Sequence, residues 1–157
     1  MVEKYFLLAL ISMVPLVELR GAIFAAGVME LNYWISLAVC VVANMLPVPI
    51  IYFFARKVLE WGKDKKYIGK FFTFCLVKGA RAGEKLVAKT GRGGLFLALL
   101  LFVGIPLPGT GAWTGTLAAS FLNMGIKSTT VSVCLGVLLA GIIMGIATTG
   151  VLGVFGI

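Results

Sequence analysis

The chain alternates between long apolar blocks and short polar interruptions, and this pattern predicts helices embedded in a membrane. Four apolar blocks cover residues 5–29, 33–55, 93–122 and 128 to the C-terminus. Each block exceeds the roughly 20 residues that a helix needs to cross a bilayer. The second and fourth blocks are apolar throughout, which is typical of membrane-spanning helices.

The first and third blocks are each interrupted near the middle by prolines and glycines. The interruptions run from Pro15 to Gly21 and from Gly104 to Gly111. Such clusters stop a helix, and the pieces flanking the first break, about 10 residues each, rise only about 15 Å. That is half of a hydrocarbon core about 30 Å thick. The pattern therefore predicts two re-entrant helical hairpins, and the alternative is a full span kinked at a packed proline.

The two interrupted blocks match each other at an offset of 91 residues, and each is followed by a long apolar span. A re-entrant hairpin does not cross the bilayer and the span after it does, so the second copy would start from the opposite face. The matched residues are Pro15-Leu16 with Pro106-Leu107, Leu31-Asn32 with Leu122-Asn123, and Ile35 with Ile126.

The predicted fold class is an all-α integral membrane protein made of two inverted repeats joined by a linker. Repeat 1 covers residues 1–55, with a hairpin at 5–29 and a span at 33–55. Repeat 2 covers residues 93–157, with a hairpin at 93–122 and a span at 128–152. This arrangement places both termini outside the cell, whereas four plain spans would place them inside.

Composition and charge support a membrane protein and locate its basic part. Hydrophobic residues make up 61% of the chain and charged residues 13%, too few polar groups to cover a soluble domain. The whole net charge of +8 lies in residues 56–92, which hold 11 of the 14 basic residues and three of the six acidic ones. Basic segments beside membrane spans stay on the cytoplasmic side, so a cytoplasmic linker is expected and nucleic-acid binding is not.

The basic linker has the periodicity of an amphipathic helix over residues 67–90. Such a helix suits the surface of a membrane with anionic headgroups, and simple topology anchoring is the alternative role. Its apolar face comprises Ile68, Phe71, Phe72, Cys75, Leu76, Ala82 and Leu86. The predicted headgroup contacts are Lys70, Arg81, Lys85 and Lys89.

Two charged residues, Glu18 and Arg20, lie deep in an apolar block, where a charge costs about 2.5–3.5 kcal/mol. Helix N-termini at the two hairpin tips, together with the Arg20 guanidinium, predict a pocket for an anionic group such as phosphate. Glu18 is then the expected proton carrier, and a local ion pair that fixes the tip is the alternative. The candidate substrate- and ion-binding residues are Pro15, Glu18, Arg20, Gly21, Asn44, Pro106, Pro108, Gly109, Thr110, Gly111 and Thr114.

Other polar and small residues within the apolar blocks have structural interpretations as well. Asn44 precedes Pro47 by three residues and is expected to satisfy carbonyls freed by the kink. Gly141 and Gly145 form a small-residue pattern that suits either a homodimer face or packing against a hairpin. The chain has no histidine and three widely spaced cysteines, so we expect no metal, no cofactor and no enzymatic activity.

The chain resembles the small multi-drug export protein family, short prokaryotic membrane proteins distantly similar to the DedA family. The motifs are residues 15–22, reading PLVELRGA, and residues 106–115, reading PLPGTGAWTG. The resemblance implies paired re-entrant loops in inverted repeats and, for some DedA-like members, translocation of polyprenyl-phosphate or phospholipid carriers. DedA-like proteins usually carry charges in both loops, whereas the second loop here has none between Gly93 and Asn123.

The leading hypothesis is a proton- or ion-coupled transporter of an amphipathic, anionic, lipid-phosphate-like substrate in the cytoplasmic membrane of a bacterium or archaeon. The expected partners are membrane lipids, this substrate, a coupling ion and a second copy in a homodimer. One alternative is an exporter of lipophilic cations that uses Glu18 as the binding charge. Another is a lipid organiser or scramblase that does not use a gradient.

Overall fold

The computed structural model describes residues 2–15, 17–65, 69–107 and 109–155. These residues fold into helices, with no strand among them, which confirms the all-α class. The helices are α1 (Val2–Met13), α2 (Glu18–Val28), α3 (Tyr33–Met45), α4 (Pro47–Lys63), α5 (Gly69–Gly104), α6 (Ala112–Phe121) and α7 (Ile126–Phe155).

The chain leaves helical structure at both predicted interruptions. Residues 14–17 join α1 to α2, and residues 105–111 join α5 to α6. The predicted linker is also helical over much of its length, because α4 continues to Lys63 and α5 begins at Gly69. Within α5 the backbone leaves helical geometry at Gly91, with φ 71° and ψ 176°. The predicted apolar face of the linker, which includes Ile68 and Phe71, lies outside the described side chains.

The helices of the two halves pack in a corresponding way. In the first half α1 contacts α2 and α3, and α2 contacts α3. In the second half α5 contacts α6 and α7, and α6 contacts α7. Helices α2 and α7 also pack together, as do α4 and α6. The apolar core lies between the halves and is built from small and branched side chains such as Ala22, Ile23, Ala119 and Val133, all nearly inaccessible.

The ends of α2 and α6 have the same backbone geometry, at positions 93 residues apart. Glu30 and Asn123 both have positive φ, 55° and 57°. The residue after each closes the helix, with Leu31 N–H donating to the Ala26 carbonyl and Met124 N–H to the Ala119 carbonyl, both at 3.0 Å. This is the usual hydrogen-bond pattern of a helix C-terminus that ends in a left-handed residue.

The offset of 91 residues predicted from sequence is therefore wrong beyond the loops. It holds where α1 and α5 end, at Met13 and Gly104, and changes to 93 by the ends of α2 and α6 because the second loop is longer. The two asparagines of the matched Leu-Asn pairs consequently have different roles. Asn32 accepts a hydrogen bond from Ile35 N–H at the start of α3, whereas Asn123 is the left-handed residue that ends α6.

Two stretches of helix among the described residues are long and apolar enough to cross a membrane. They are Tyr33–Lys63, which comprises α3 and α4, and Ile126–Val151 in α7. Less than half of each apolar window is buried, 44% and 39% respectively. Large apolar side chains such as Ile50, Phe54 and Ile146 are more than two-thirds exposed, a surface that suits hydrocarbon rather than water.

The small-residue pattern of α7 packs within the chain. A side chain at Gly141 would overlap Leu37, and one at Gly145 would overlap the ring of Tyr33. The Tyr33 hydroxyl donates to the Gly141 carbonyl at 3.1 Å. Gly141 also faces Leu19 of α2, so this pattern serves the contact of α7 with α3 and α2, and the homodimer stays a prediction.

Candidate functional site

Glu18, at the start of α2, binds the N-terminus of α6. Its Oε2 accepts a hydrogen bond from Ala112 N–H and its Oε1 from Trp113 N–H, both at 3.0 Å. The first amide groups of a helix have no partner within the helix, and the helix dipole favours a negative charge there. The carboxylate thus satisfies two amides and is itself stabilised, although Glu18 is only 6% exposed.

Local backbone geometry on both loops makes this contact possible. Glu18 has φ of 50°, in the left-handed region that costs a side chain other than glycine about 1 kcal/mol or more. On the opposite side, a Cβ atom at Gly111 would overlap the Glu18 carboxylate. Glycine is therefore needed at position 111 because a side chain would prevent the close approach of the carboxylate. The backbone conformation does not require glycine, since the φ of 161° at Gly111 is extended and accessible to any residue.

Arg20 binds the other side of the same loop, at the C-terminal end of α5. Its guanidinium donates to the carbonyls of Val103 at 3.3 Å, Ile105 at 3.2 Å and Leu107, and to the Thr110 hydroxyl at 2.8 Å. Carbonyls at a helix C-terminus lack partners and carry partial negative charge. Arg20 supplies hydrogen bonds and positive charge to this end, as Glu18 supplies negative charge to α6.

Glu18 and Arg20 thus form an interloop clamp, by which we mean these two side chains with their partners in residues 103–113. No salt bridge joins the two side chains to each other in the described part of the chain. Each charge is balanced by backbone dipoles of the second half. The α6 end of the predicted anion pocket is therefore occupied by Glu18, and the donors of Arg20 are directed to the second loop.

The remaining predicted residues are distributed around the clamp. Thr110 accepts from Arg20 and contacts the carbonyls of Ile105 and Leu107, each at 2.9 Å. Thr114 contacts the Gly111 carbonyl at 3.5 Å, within its own helix. Gly21 packs against Val17. Pro15, Pro106 and Gly109 lie in the loops, and Pro108 lies outside the described residues.

Asn44 lies apart from the clamp, on α3, and is 1% exposed. Its Oδ1 has no hydrogen-bond partner among the described residues. Ser36, on the same helix, and Thr129, on α7, are likewise buried with hydroxyls that lack a described partner. The predicted role of Asn44 at the kink stays a prediction.

Sequence reasoning missed an apolar cleft between α4 and α6. Two cavities of about 290 and 480 Å³ lie along α4 and share Ile51, Phe54 and Trp113. Their walls carry no charged side chain, and together they have the size and character of a small-molecule site. Trp113 lies two residues after Gly111 of the second motif, and this position was the available signal.

Trp113 connects the cleft to the clamp. Its ring lines both cavities, its backbone N–H donates to Glu18, and its buried Nε1 has no described hydrogen-bond partner. Trp113 therefore joins the wall of the cleft to the Glu18 carboxylate through a single residue.

The basic linker contributes a separate cavity of about 590 Å³ where the end of α4 meets the start of α5. It brings together the predicted headgroup residues Lys70 and Arg81 with Lys63 and Lys65. Lys85 and Lys89 are exposed further along α5 and do not line it. Among the described residues, no group of three histidine, cysteine or acidic side chains is placed to hold a metal ion.

A family model described as "Putative small multi-drug export protein" matches residues 18–143. No curated protein and no solved structure matches the chain. The matched range begins at Glu18 and includes the whole interloop clamp and Trp113. The family match and the two apolar helical stretches together indicate a membrane protein.

Proposed function

Because the chain belongs to the small multi-drug export protein family, we propose that it exports lipophilic cations across the cell membrane and that Glu18 couples this export to protons. The observation that carries the proposal is the position of Trp113. This residue lines the apolar cleft and donates to the Glu18 carboxylate at 3.0 Å. Substrate binding and protonation thus act on the same turn of α6.

The cleft favours a lipophilic cation over an anion. A delocalised cation loses little hydration energy on entering apolar walls, and the faces of Trp113 and Phe54 attract positive charge. The donors that an anion would need are bound to protein groups, since Glu18 caps α6 and Arg20 holds the Leu107 carbonyl. Glu18 is the acidic side chain connected to the cleft through Trp113, and the charge of its carboxylate is opposite to that of the substrate.

Protonation of Glu18 supplies the coupling step. A neutral carboxyl accepts hydrogen bonds more weakly than a carboxylate, so a proton on Oε1 or Oε2 weakens the bonds from Trp113 and Ala112. The first turn of α6 can then move, and the cleft and its charge attraction change together. Proton entry from one side and substrate release on the other give exchange of a proton for a cation.

The inverted-repeat architecture is part of this proposal. The matched packing of the two halves and the matched ends of α2 and α6 support a duplicated hairpin-and-span unit. With re-entrant hairpins entering from opposite faces, the clamp lies near the membrane midplane and rocking of one repeat against the other alternates access. The basic linker then lies on the cytoplasmic side.

Translocation of an anionic lipid phosphate is the second candidate function, and the clamp itself supports it. If a proton neutralises Glu18 and the side chain leaves, the α6 amides and the Arg20 guanidinium become an anion site. In this mechanism proton uptake would promote substrate binding, whereas in cation export it opposes binding. The distant similarity of the family to DedA proteins favours this second candidate.

Reconstitution into liposomes with an imposed pH gradient tests both candidates. We expect gradient-driven movement of tetraphenylphosphonium by the wild type, and movement reduced to the level of protein-free liposomes in Glu18→Gln. The matched control is Glu30→Gln, which removes an exposed carboxylate and is expected to transport normally. Wild-type, pH-driven transport by Glu18→Gln would overturn the coupling role.

The same vesicles distinguish the other hypotheses. Gradient-driven movement of labelled polyprenyl phosphate without movement of the cation would select the second candidate. Lipid movement that does not depend on the gradient would select a scramblase. Trp113→Ala is expected to weaken binding of the cation at least about tenfold, since it removes the shared wall of both cavities.

A further inference from the structure

The basic cavity at the junction of α4 and α5 has no role in the proposed export mechanism. Its walls combine the charged side chains of Lys63, Lys65, Lys70 and Arg81 with Thr73, Phe74 and Val77. Phe74 and Val77 are 58% and 43% exposed. The cavity therefore presents four positive charges beside an exposed apolar strip.

A close contact between the end of α4 and the start of α5 brings these charges together. Gly69 is buried against the end of α4, its N–H donates to the Lys65 carbonyl at 2.7 Å, and a Cβ atom there would overlap the Lys63 carbonyl. This close contact places Lys63 and Lys65 next to Lys70, at the start of α5.

No carboxylate of the described chain forms a salt bridge with these four cations. Glu60 lies 3.6 Å from Arg56, on a different part of α4, and the two other acids of this segment, Asp64 and Glu84, form no salt bridge within the described residues. Lys65 lies over the ring of Trp61 at 4.3 Å, which orients its ammonium group but does not neutralise it. Four like charges around one cavity repel each other, and an anion between them would remove that repulsion.

We infer that this cavity binds the phosphate-bearing headgroup of an anionic lipid, with Phe74 and Val77 against its acyl chains. A phosphate oxygen accepts hydrogen bonds from lysine and arginine, and Thr73 adds a hydroxyl. The cavity of about 590 Å³ has room for a headgroup with its glycerol unit, and the apolar strip distinguishes a lipid from free phosphate. This site is independent of the cleft and of Glu18.

Binding of soluble short-chain lipids to the detergent-solubilised full chain tests the site. We expect dioctanoyl phosphatidic acid to bind, dioctanoyl phosphatidylcholine to bind at least about tenfold more weakly, and inorganic phosphate not to compete at millimolar concentration. Replacement of Lys63, Lys65, Lys70 and Arg81 by Gln is expected to weaken phosphatidic acid binding by about 600-fold, the product of about fivefold for each of the four basic residues.

The matched control removes the same charge from the same segment, outside the cavity, by replacing Lys57, Lys85, Lys89 and Arg92 with Gln. We expect this variant to lose less than about threefold in affinity. Equal losses in the two variants would show diffuse attraction and overturn the site, as would inorganic phosphate that binds as tightly as the lipid. If the fourfold variant does not fold, Lys70→Gln and Arg81→Gln singly are each expected to weaken binding about fivefold, and no loss in either would also overturn it.

Discussion

The loop that joins α1 to α2 and the loop that joins α5 to α6 differ in a way that explains how this protein holds the buried Glu18 and the half-buried Arg20. The first loop, residues 14–17, is short and is closed by its own backbone, with Glu18 N–H donating to the Val14 carbonyl at 3.0 Å. The second loop, residues 105–111, is longer and contains no charged residue. Its flanking helix ends are completed by Glu18 and Arg20 from the first half.

This difference changes how the uncharged second motif is interpreted. The first half supplies side-chain charge and the second supplies backbone dipoles, so the halves are complementary rather than equivalent. Any side chain at Gly111 would overlap the carboxylate that the α6 amides bind. The absence of a charged residue at this position fits a clamp in which the first loop completes the second.

Substitution of Arg20 is expected to have the largest effect on the free energy of unfolding among the changes that test this difference between the loops. Arg20→Met would remove the guanidinium donors from the carbonyls of Val103, Ile105 and Leu107, and we expect a loss of about 3 kcal/mol in the free energy of unfolding. The Ile105 and Leu107 carbonyls would keep the Thr110 hydroxyl. Arg20→Lys keeps the charge but cannot reach all these acceptors and should lose about half as much. Unfolding in detergent measures both, with exposed Lys127→Met as the control. A loss no larger than in the control would contradict the capping role.

Gly111→Ala should have the next largest effect, because its Cβ would overlap the Glu18 carboxylate. We expect a loss of about 2 kcal/mol as two charge-assisted hydrogen bonds are displaced. Gly125→Ala is the control, since a Cβ there meets no atom within 4 Å.

A double-mutant cycle separates this clash from a general effect on the loop. In a Glu18→Gln background the cap is already weakened, so Gly111→Ala should cost less than it does in the wild type. Fully additive losses would show that Gly111 and Glu18 do not act together.

The smallest expected changes in the free energy of unfolding come from substitutions at the matched ends of α2 and α6. Glu30 and Asn123 both have positive φ, but asparagine tolerates this region better than glutamate. Glu30→Gly should therefore raise the free energy of unfolding by about 1 kcal/mol and Asn123→Gly by only about 0.3 kcal/mol. Equal changes, measured by unfolding in detergent, would show that the two helix ends are not equivalent in energy.

Sequence reasoning found the elements of the site but not their pairing. Proline and glycine marked both loops, and the cost of a buried charge marked Glu18 and Arg20. Their partners depend on how the start of α2 lies beside residues 103–113, which are some 90 residues away in the chain. No local pattern encodes that arrangement, so the predicted pocket placed an external anion where Glu18 binds.

Sequence reasoning missed two further features, the change of offset between the halves and the role of Trp113, for related reasons. The change of offset from 91 to 93 arises inside the second loop, while the chance identity of Leu31-Asn32 with Leu122-Asn123 favoured the wrong register. Trp113 reads as one more apolar residue in sequence. Its importance comes from facing Phe54 and Ile51 of α4 while its N–H faces Glu18.

The most direct test of the clamp follows the backbone amides of Ala112 and Trp113 by proton–nitrogen NMR in lipid nanodiscs across a pH titration. If both amides donate to the Glu18 carboxylate, their proton resonances should move upfield together as Glu18 is protonated, and this movement should be absent in Glu18→Gln and present in Glu30→Gln. Amides that do not respond to pH in the wild type, or that respond equally in Glu18→Gln, would contradict the account.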